Sequence, residues 1–295
     1  MNKLLIIFFL IALINIKSFG AVYGVDDREL ITDSSPYAHY AKAVLSQLRE
    51  GALNKQGKRF FLKTKSLNDH VGNLCEDTPF RETPTFSYCS AFMVSPELMV
   101  TAGHCIEDQQ ECEETTWAFA DQMTSSKEIP SQDIVRCEKL VNRLKNSISK
   151  NDYALIKISR PISHRPHLNF RTSGVITEDA PLVVIGHPTG LPLISTDQGQ
   201  IRENDSPFLF KLTSDTFGGN SGSPIINIDT GLVEGILTDG DLDYILDRER
   251  GCRTTFKCQE GSCRGENGVR ITNIPELVPG MTPEEPIFDP RFPRL

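Results

Sequence analysis

Four things are scarce or absent in this sequence of 295 residues, and each excludes a class of protein. The longest apolar run, Leu4 to Ile14, falls short of the roughly 17 to 25 residues that a bilayer-spanning helix needs, so no stable membrane anchor is expected. Positive charge is in deficit, with 31 Lys and Arg against 39 Asp and Glu and a net charge of −8. That balance argues against a nucleic-acid partner, because phosphates are held by basic surfaces. None of the eight cysteines stands in Cys-x-x-Cys spacing or beside a His-x-x-x-His pair, so no metal is expected. Repeats and low-complexity runs are missing too, and with them solenoids and arrays.

What is present begins with an export signal. Lys3, the apolar run, and the small residues Ser18 and Gly20 read as a leader over residues 1–20 cut after Gly20, which leaves 275 residues at a net charge of −10. In an exported chain, an even set of cysteines at 75, 89, 105, 112, 137, 252, 258 and 263 reads as disulfides. Cys252, Cys258 and Cys263 crowd one charged loop and suggest local stapling.

Ser34-Ser35-Pro36, then Tyr37, Tyr40, Ala41, Val44, Leu45 and Leu48, closed by Gly51, predict one amphipathic helix with a cap, an N1 proline and a terminal glycine. The basic stretch Lys55 to Lys65 reads as a solvated loop or hairpin. From about residue 85, short strand-like runs such as Ser90 to Val94, Leu98 to Thr101, Ala154 to Ile158, Leu182 to Ile185 and Val233 to Leu237 alternate with Gly, Pro, Asn and Asp, the pattern of an all-β sandwich or barrel pair. Ser159 to His167 looks like a connection between halves. The expected layout is residues 21–165 with a first barrel, 166–275 with a second, and a proline-rich tail over 276–295.

Acyl transfer at neutral pH needs a nucleophile, a base, a group that orients the base, and donors for the developing oxyanion. Leu98 to Cys105 is a strand running into a small-residue turn that presents His104. Asn151-Asp152-Tyr153 puts a carboxylate at the mouth of an apolar strand, where it can accept the second ring N–H of a histidine. Phe217-Gly218-Gly219-Asn220-Ser221-Gly222-Ser223-Pro224 surrounds a serine with glycines, letting a carbonyl approach the N–H groups of Gly219 and Ser221. His187, with no cysteine-pinned turn before it, reads as a loop-shaping residue. An α/β-hydrolase elbow is excluded because Ser223 stands where that motif needs glycine and the acid does not fall between serine and histidine.

Thr101-Ala-Gly-His104-Cys105, Asp152-Tyr-Ala-Leu and Gly219-Asn-Ser221-Gly-Ser-Pro224 resemble the signatures of trypsin-like serine peptidases, in the order His, Asp, Ser of the chymotrypsin class. Gly-Asn-Ser-Gly-Ser-Pro, and the segment Val22 to Asp33, are similar to the bacterial branch that contains the glutamyl (V8-like) endopeptidases. The resemblance covers most of residues 22–275 and is weakest over 36–70. It implies two perpendicular six-stranded antiparallel β-barrels, to which the helix read above adds an N-terminal insertion, and a catalytic triad of His104, Asp152 and Ser221. It further implies an oxyanion hole of Gly219 and Ser221, a Cys89–Cys105 disulfide, and a substrate-pairing strand end at Thr238-Asp239-Gly240. Asn220 replaces the aspartate through which animal trypsins bind a new N-terminus, so no switch of that kind is expected.

By the same resemblance Asp215, followed by Thr216, falls at the base of the primary pocket and implies cleavage after Arg or Lys. The pocket histidine of the glutamyl branch would fall near Leu237, where there is none. The implied protein is a monomeric, cofactor-free endopeptidase acting on proteins or peptides. Its alternatives are a glutamyl-specific enzyme of the same fold and a binding module that has kept the barrels without the activity.

Overall fold

A computed structural model describes residues 22–120, 127–258 and 263–280. The expected leader and most of the proline-rich tail lie outside the described residues.

The strand runs are continuous apolar stretches because they are buried on both faces. Successive side chains of a strand point to opposite sides. Ala91, Met93, Met99 and Ile156 turn into one core with Leu45, Trp117 and Val135. Their chain neighbours Phe92, Val100 and Leu155 turn the other way, into a second core shared with Val183, Ile185, Ile226 and Ile236. Leu182, Val184, Ile225 and Leu237 in turn face a third core around Phe210. Two closed barrels and the seam between them follow from this alternation.

The first barrel runs in the order Thr116–Ala118, Ile134–Lys145, Asp152–Ile158, Leu98–Thr101, Ser87–Met93 and Val44–Leu48, which pairs back to Thr116–Ala118. The second runs Leu182–Gly186, Pro224–Asn227, Val233–Asp239, Glu266–Arg270, Leu209–Thr213 and Ile194–Glu203, closing on Leu182–Gly186. Both are six-stranded and antiparallel, as expected.

The helix expected over residues 36–51 is corrected. A single turn, Ala38–Ala41, is all that forms, and Val44–Leu48 is a strand between Ser87–Met93 and Thr116–Ala118. A surface helix buries one stripe, whereas all five residues of Val44–Leu48 are buried. Ladder partners on both sides and a core on each face outweigh the helical spacing. The basic stretch is a hairpin, Leu53–Gln56 with Arg59–Leu62.

The N-terminal segment, grouped by sequence with the first barrel, lies on the second. Val22–Tyr23 pairs parallel with Lys257–Cys258, and Glu29–Leu30 pairs with Ile194–Ser195. The disulfides are Cys75–Cys252, Cys89–Cys105, Cys112–Cys137 and Cys258–Cys263. Local stapling therefore holds for Cys258 and Cys263 only. Cys252 instead reaches 177 residues back to Cys75, tying the hairpin Tyr244–Asp247 and Cys252–Thr255 to the segment before the first barrel's second strand.

Candidate active site

His104 and Asp152 meet because their strands pair. Leu98–Thr101 lies antiparallel to Asp152–Ile158 with Thr101 opposite Ala154, so the turn Gly103–Cys105 leaves one strand beside the residue that begins the other. Both oxygens of the Asp152 carboxylate accept from His104: Oδ2 from ring Nδ1 at 2.8 Å and Oδ1 from the backbone N–H at 2.9 Å. A ring held through Nδ1–H leaves Nε2 as its basic nitrogen. Arg143 steadies the turn by donating from Nε to the carbonyls of Gly103 and Ile106, and the Cys89–Cys105 bond ties it to the neighbouring strand.

Ser221 comes from the second barrel, in the loop between Leu209–Thr213 and Pro224–Asn227. Two glycines shape it. Gly219 has φ +100° and a side chain there would come 2.5 Å from the His187 carbonyl; Gly222 has φ +88° and would come 2.0 Å from that of Ser90. Among the described residues, the N–H groups of Gly219 and Ser221 donate to no backbone acceptor, while those of Asn220, Gly222 and Ser223 all do. The oxyanion hole expected at Gly219 and Ser221 requires donors that are not engaged elsewhere.

Ser90, from the first barrel, ties this loop across the seam. Its N–H donates to the Ser221 carbonyl at 2.8 Å, its Oγ donates to the Gly219 carbonyl at 2.9 Å, and the same Oγ accepts from the His187 N–H at 3.0 Å. Sequence reasoning missed Ser90, although it follows Cys89 directly. His187 itself is fully buried, its Nδ1–H donates to the Leu191 carbonyl at 2.9 Å, and burial pushes it down to about 4, so its imidazole is neutral. Asn220 is buried and accepts from the Ser223 hydroxyl.

His104 and Ser221 open onto one cleft of about 340 Å³, whose wall includes Thr216, Leu237, Thr238, Asp239, Gly240, Asp241, Asp243 and Glu266. The cleft thus takes in Thr216, Thr238, Asp239 and Gly240 of the expected substrate-binding set. Asp215 is placed elsewhere. It is 2% exposed, turned away from the cleft, with Oδ1 accepting from the Tyr23 N–H at 2.6 Å and Oδ2 from the Asp27 N–H at 3.0 Å. Burial raises its pKa and the nearby Asp27 carboxylate adds to the rise, while the two N–H groups oppose it.

The N-terminal segment also carries Arg28, whose guanidinium stacks 3.9 Å from the Phe217 ring beside the serine loop. The hydroxyl of Tyr23 donates to Glu266 Oε1 at 3.2 Å, and that of Thr216 to Oε2 at 2.7 Å. Burial raises Glu266 well above the usual carboxylate range, and Asp241 adds to this against the two hydroxyl donors. Asp243 accepts from the Gly218 N–H at 2.9 Å, and burial pushes it up to about 6. Glu266 and Asp243 were not foreseen, because in the sequence they are two acids among many in a charged stretch.

Residues 89–236, half of the chain, match the sequence profile described as the trypsin-like peptidase domain. Among solved structures the chain is similar to the VesB protease of Vibrio cholerae, at 14% identity over 84% of this chain and 65% of that one, with a TM-score of 0.52. It is also similar to a Glu endopeptidase in complex with MPD, at 15% identity over 85% of this chain and 94% of that one, with a TM-score of 0.47. Likeness at these identities is likeness of fold. No curated protein matches the chain in sequence.

Proposed function

The chain belongs to the trypsin-like peptidase domain family, and on that premise we propose that it is an exported serine endopeptidase using His104, Asp152 and Ser221. One observation carries the reading: both oxygens of Asp152 hold His104, and that histidine shares a cleft with Ser221. His104 Nε2 takes the Ser221 Oγ proton as the oxygen attacks the scissile carbonyl carbon. The oxyanion formed is met by the N–H groups of Gly219 and Ser221. His104 then gives its proton to the leaving amine, and an ester to Ser221 remains until water, activated by the same histidine, releases the acid. Asp152 stays ionised throughout and stabilises the imidazolium.

Cleavage after Arg or Lys is supported by the cleft wall, which carries Asp239, Asp241, Asp243 and Glu266 and, among the described residues, no Lys or Arg, with Arg264 pairing to Asp239 and Asp241 from outside that lining. The same wall, with Leu237 in it, disfavours an acidic side chain at the cleaved position. Four disulfides support an extracellular or periplasmic site of action. Activation by a trypsin-style ion pair is not part of the proposal, since buried Asn220 carries no charge.

A fluorophosphonate probe tests the reading. It should label the wild-type protein and leave Ser221→Ala unlabelled. Absence of labelling in a folded wild type would favour the binding module instead.

A further inference from the structure

We propose that Glu266, and not Asp215, is the carboxyl group that selects an Arg or Lys side chain at the cleaved position; the proposal rests on the endopeptidase reading above. Asp215 is ruled out by geometry, with both oxygens held by the N-terminal segment and neither reaching the cleft. Glu266 lines the cleft that Ser221 and His104 share, and its carboxylate lies against the strand end expected to run beside substrate backbone. A Cβ added to Gly240 would stand 1.8 Å from Glu266 Oε2.

The four carboxylates of this wall differ in what they hold. Asp239 and Asp241 are both paired with Arg264, at 3.0 Å each. Asp243 accepts from the Gly218 N–H and has the Arg28 guanidinium nearby. Glu266 has neutral donors only, the hydroxyls of Thr216 and Tyr23 and the backbone N–H of Asp241, and among the described residues no Lys or Arg forms an ion pair with it.

A buried carboxyl without a counter-charge is pushed toward its neutral form, and a cation brought beside it favours the carboxylate. The two carboxylate oxygens have about four acceptor positions between them, so these three donors leave room for an N–H of a guanidinium or ammonium. Tyr23 and Thr216 fix the orientation of the group, and a basic substrate side chain supplies the missing charge in a fixed place, which is how a pocket selects by sign.

The test uses the full chain in two arms. Benzamidine, an amidinium that stands in for an arginine side chain, is titrated by calorimetry into the wild type, Ser221→Ala and Glu266→Gln. Wild type and Ser221→Ala should bind alike, and Glu266→Gln should bind at least about 30-fold more weakly. In the second arm, peptides differing only in Arg, Lys, Gln, Glu or Phe at the cleaved position are compared. The preference for Arg and Lys over Gln should fall about 100-fold in Glu266→Gln while fluorophosphonate labelling of Ser221 persists. Should Glu266→Gln fail to fold, Glu266→Asp keeps the charge and withdraws it, and its benzamidine affinity should still drop by about tenfold. Folded Glu266→Gln binding benzamidine as the wild type does, or a wild type that prefers neutral or acidic residues, overturns the proposal. Benzamidine binding lost in Glu266→Gln, with no probe labelling of the wild type, would overturn the endopeptidase reading and leave Glu266 as the cation site.

Discussion

The seam that carries His104, Asp152 and Ser221 and the acidic wall that faces it are assembled over different ranges of sequence. At the seam each functional group arrives inside a short string with its own support: a strand into a tight turn for His104, a strand mouth for Asp152, paired glycines for Ser221. Along the wall support also comes from far away, the Tyr23 hydroxyl holding Glu266 across 243 residues, while the Tyr23 N–H holds Asp215, outside the cleft, across 192. The seam is a set of local designs brought together by barrel pairing; the wall combines contacts within the second barrel, Arg264 to Asp239 and Asp241 and Thr216 to Glu266, with one from the docked N-terminal segment.

The seam is where a single atom matters most. Asp152→Asn leaves the shape of the acid intact and replaces the acceptor that fixes the His104 tautomer. A fall in kcat of about 10⁴-fold is expected, with KM little changed and the melting temperature within a few degrees of the wild type. A fall below tenfold in a folded variant would place the base elsewhere and dissolve the contrast from its strong side.

The difference also explains what could be read in the sequence. The strands Leu98–Thr101 and Leu182–Gly186 were legible because residues buried on both faces form unbroken apolar runs. Val44–Leu48 was misread because its apolar residues, spaced with Tyr40 and Ala41 before them, satisfy a helical period as well as a strand does, and only its ladder partners at Ser87–Met93 and Thr116–Ala118 decide. Cys252 was assigned locally because nearness in sequence was the only signal, whereas its partner is Cys75. Asp215 occupies the expected position by count, yet the N–H groups of Tyr23 and Asp27 take both its oxygens, a contact no local pattern encodes. Glu266 lies beyond the span 89–236 that matches the family profile.

His187 sharpens the seam by its pH dependence. Its Nε2 is buried without a partner and burial pushes the ring down to about 4, against about 6.5 for an exposed histidine. The folded state therefore binds fewer protons than the unfolded state between those values. Stability is full above about pH 6.5 and is lost as pH falls through about 4, by about 3 kcal/mol from this group. Urea unfolding at pH 7 and pH 4 of the wild type and His187→Gln reads the difference between the two slopes. An equal acid dependence in both would show that His187 is charged or exposed in the folded protein.

Ser90→Ala tests whether the two barrels hold the serine loop together or merely lie side by side. The change removes the Oγ donor to the Gly219 carbonyl and the acceptor of the His187 N–H, and keeps the backbone bond to Ser221. Two buried groups lose their partner, and the loop that presents the Gly219 N–H loosens by about 2 kcal/mol. That corresponds to a drop of about 30-fold in kcat, with KM nearly constant, because the oxyanion donors act in the transition state. A loss of melting temperature with unchanged kcat would make Ser90 a structural residue only.

Tyr23→Phe asks the same of the wall and should have the smallest effect. The phenylalanine keeps the ring and the backbone N–H that binds Asp215, and removes only the hydroxyl that donates to Glu266 Oε1. Thr216 still holds the other oxygen at 2.7 Å and the Asp241 N–H remains, so the carboxylate keeps two of its three orienting donors. A hydrogen bond of this kind contributes about 1 kcal/mol, and kcat/KM for peptides with Arg or Lys at the cleaved position should fall about fivefold, with neutral peptides unaffected. A loss of 100-fold or more would make the N-terminal segment as decisive for the wall as Asp152 is for the seam. No loss at all would leave Thr216 and the Asp241 N–H as the guides of Glu266, and the wall would then be set by the second barrel without help from the segment docked on it.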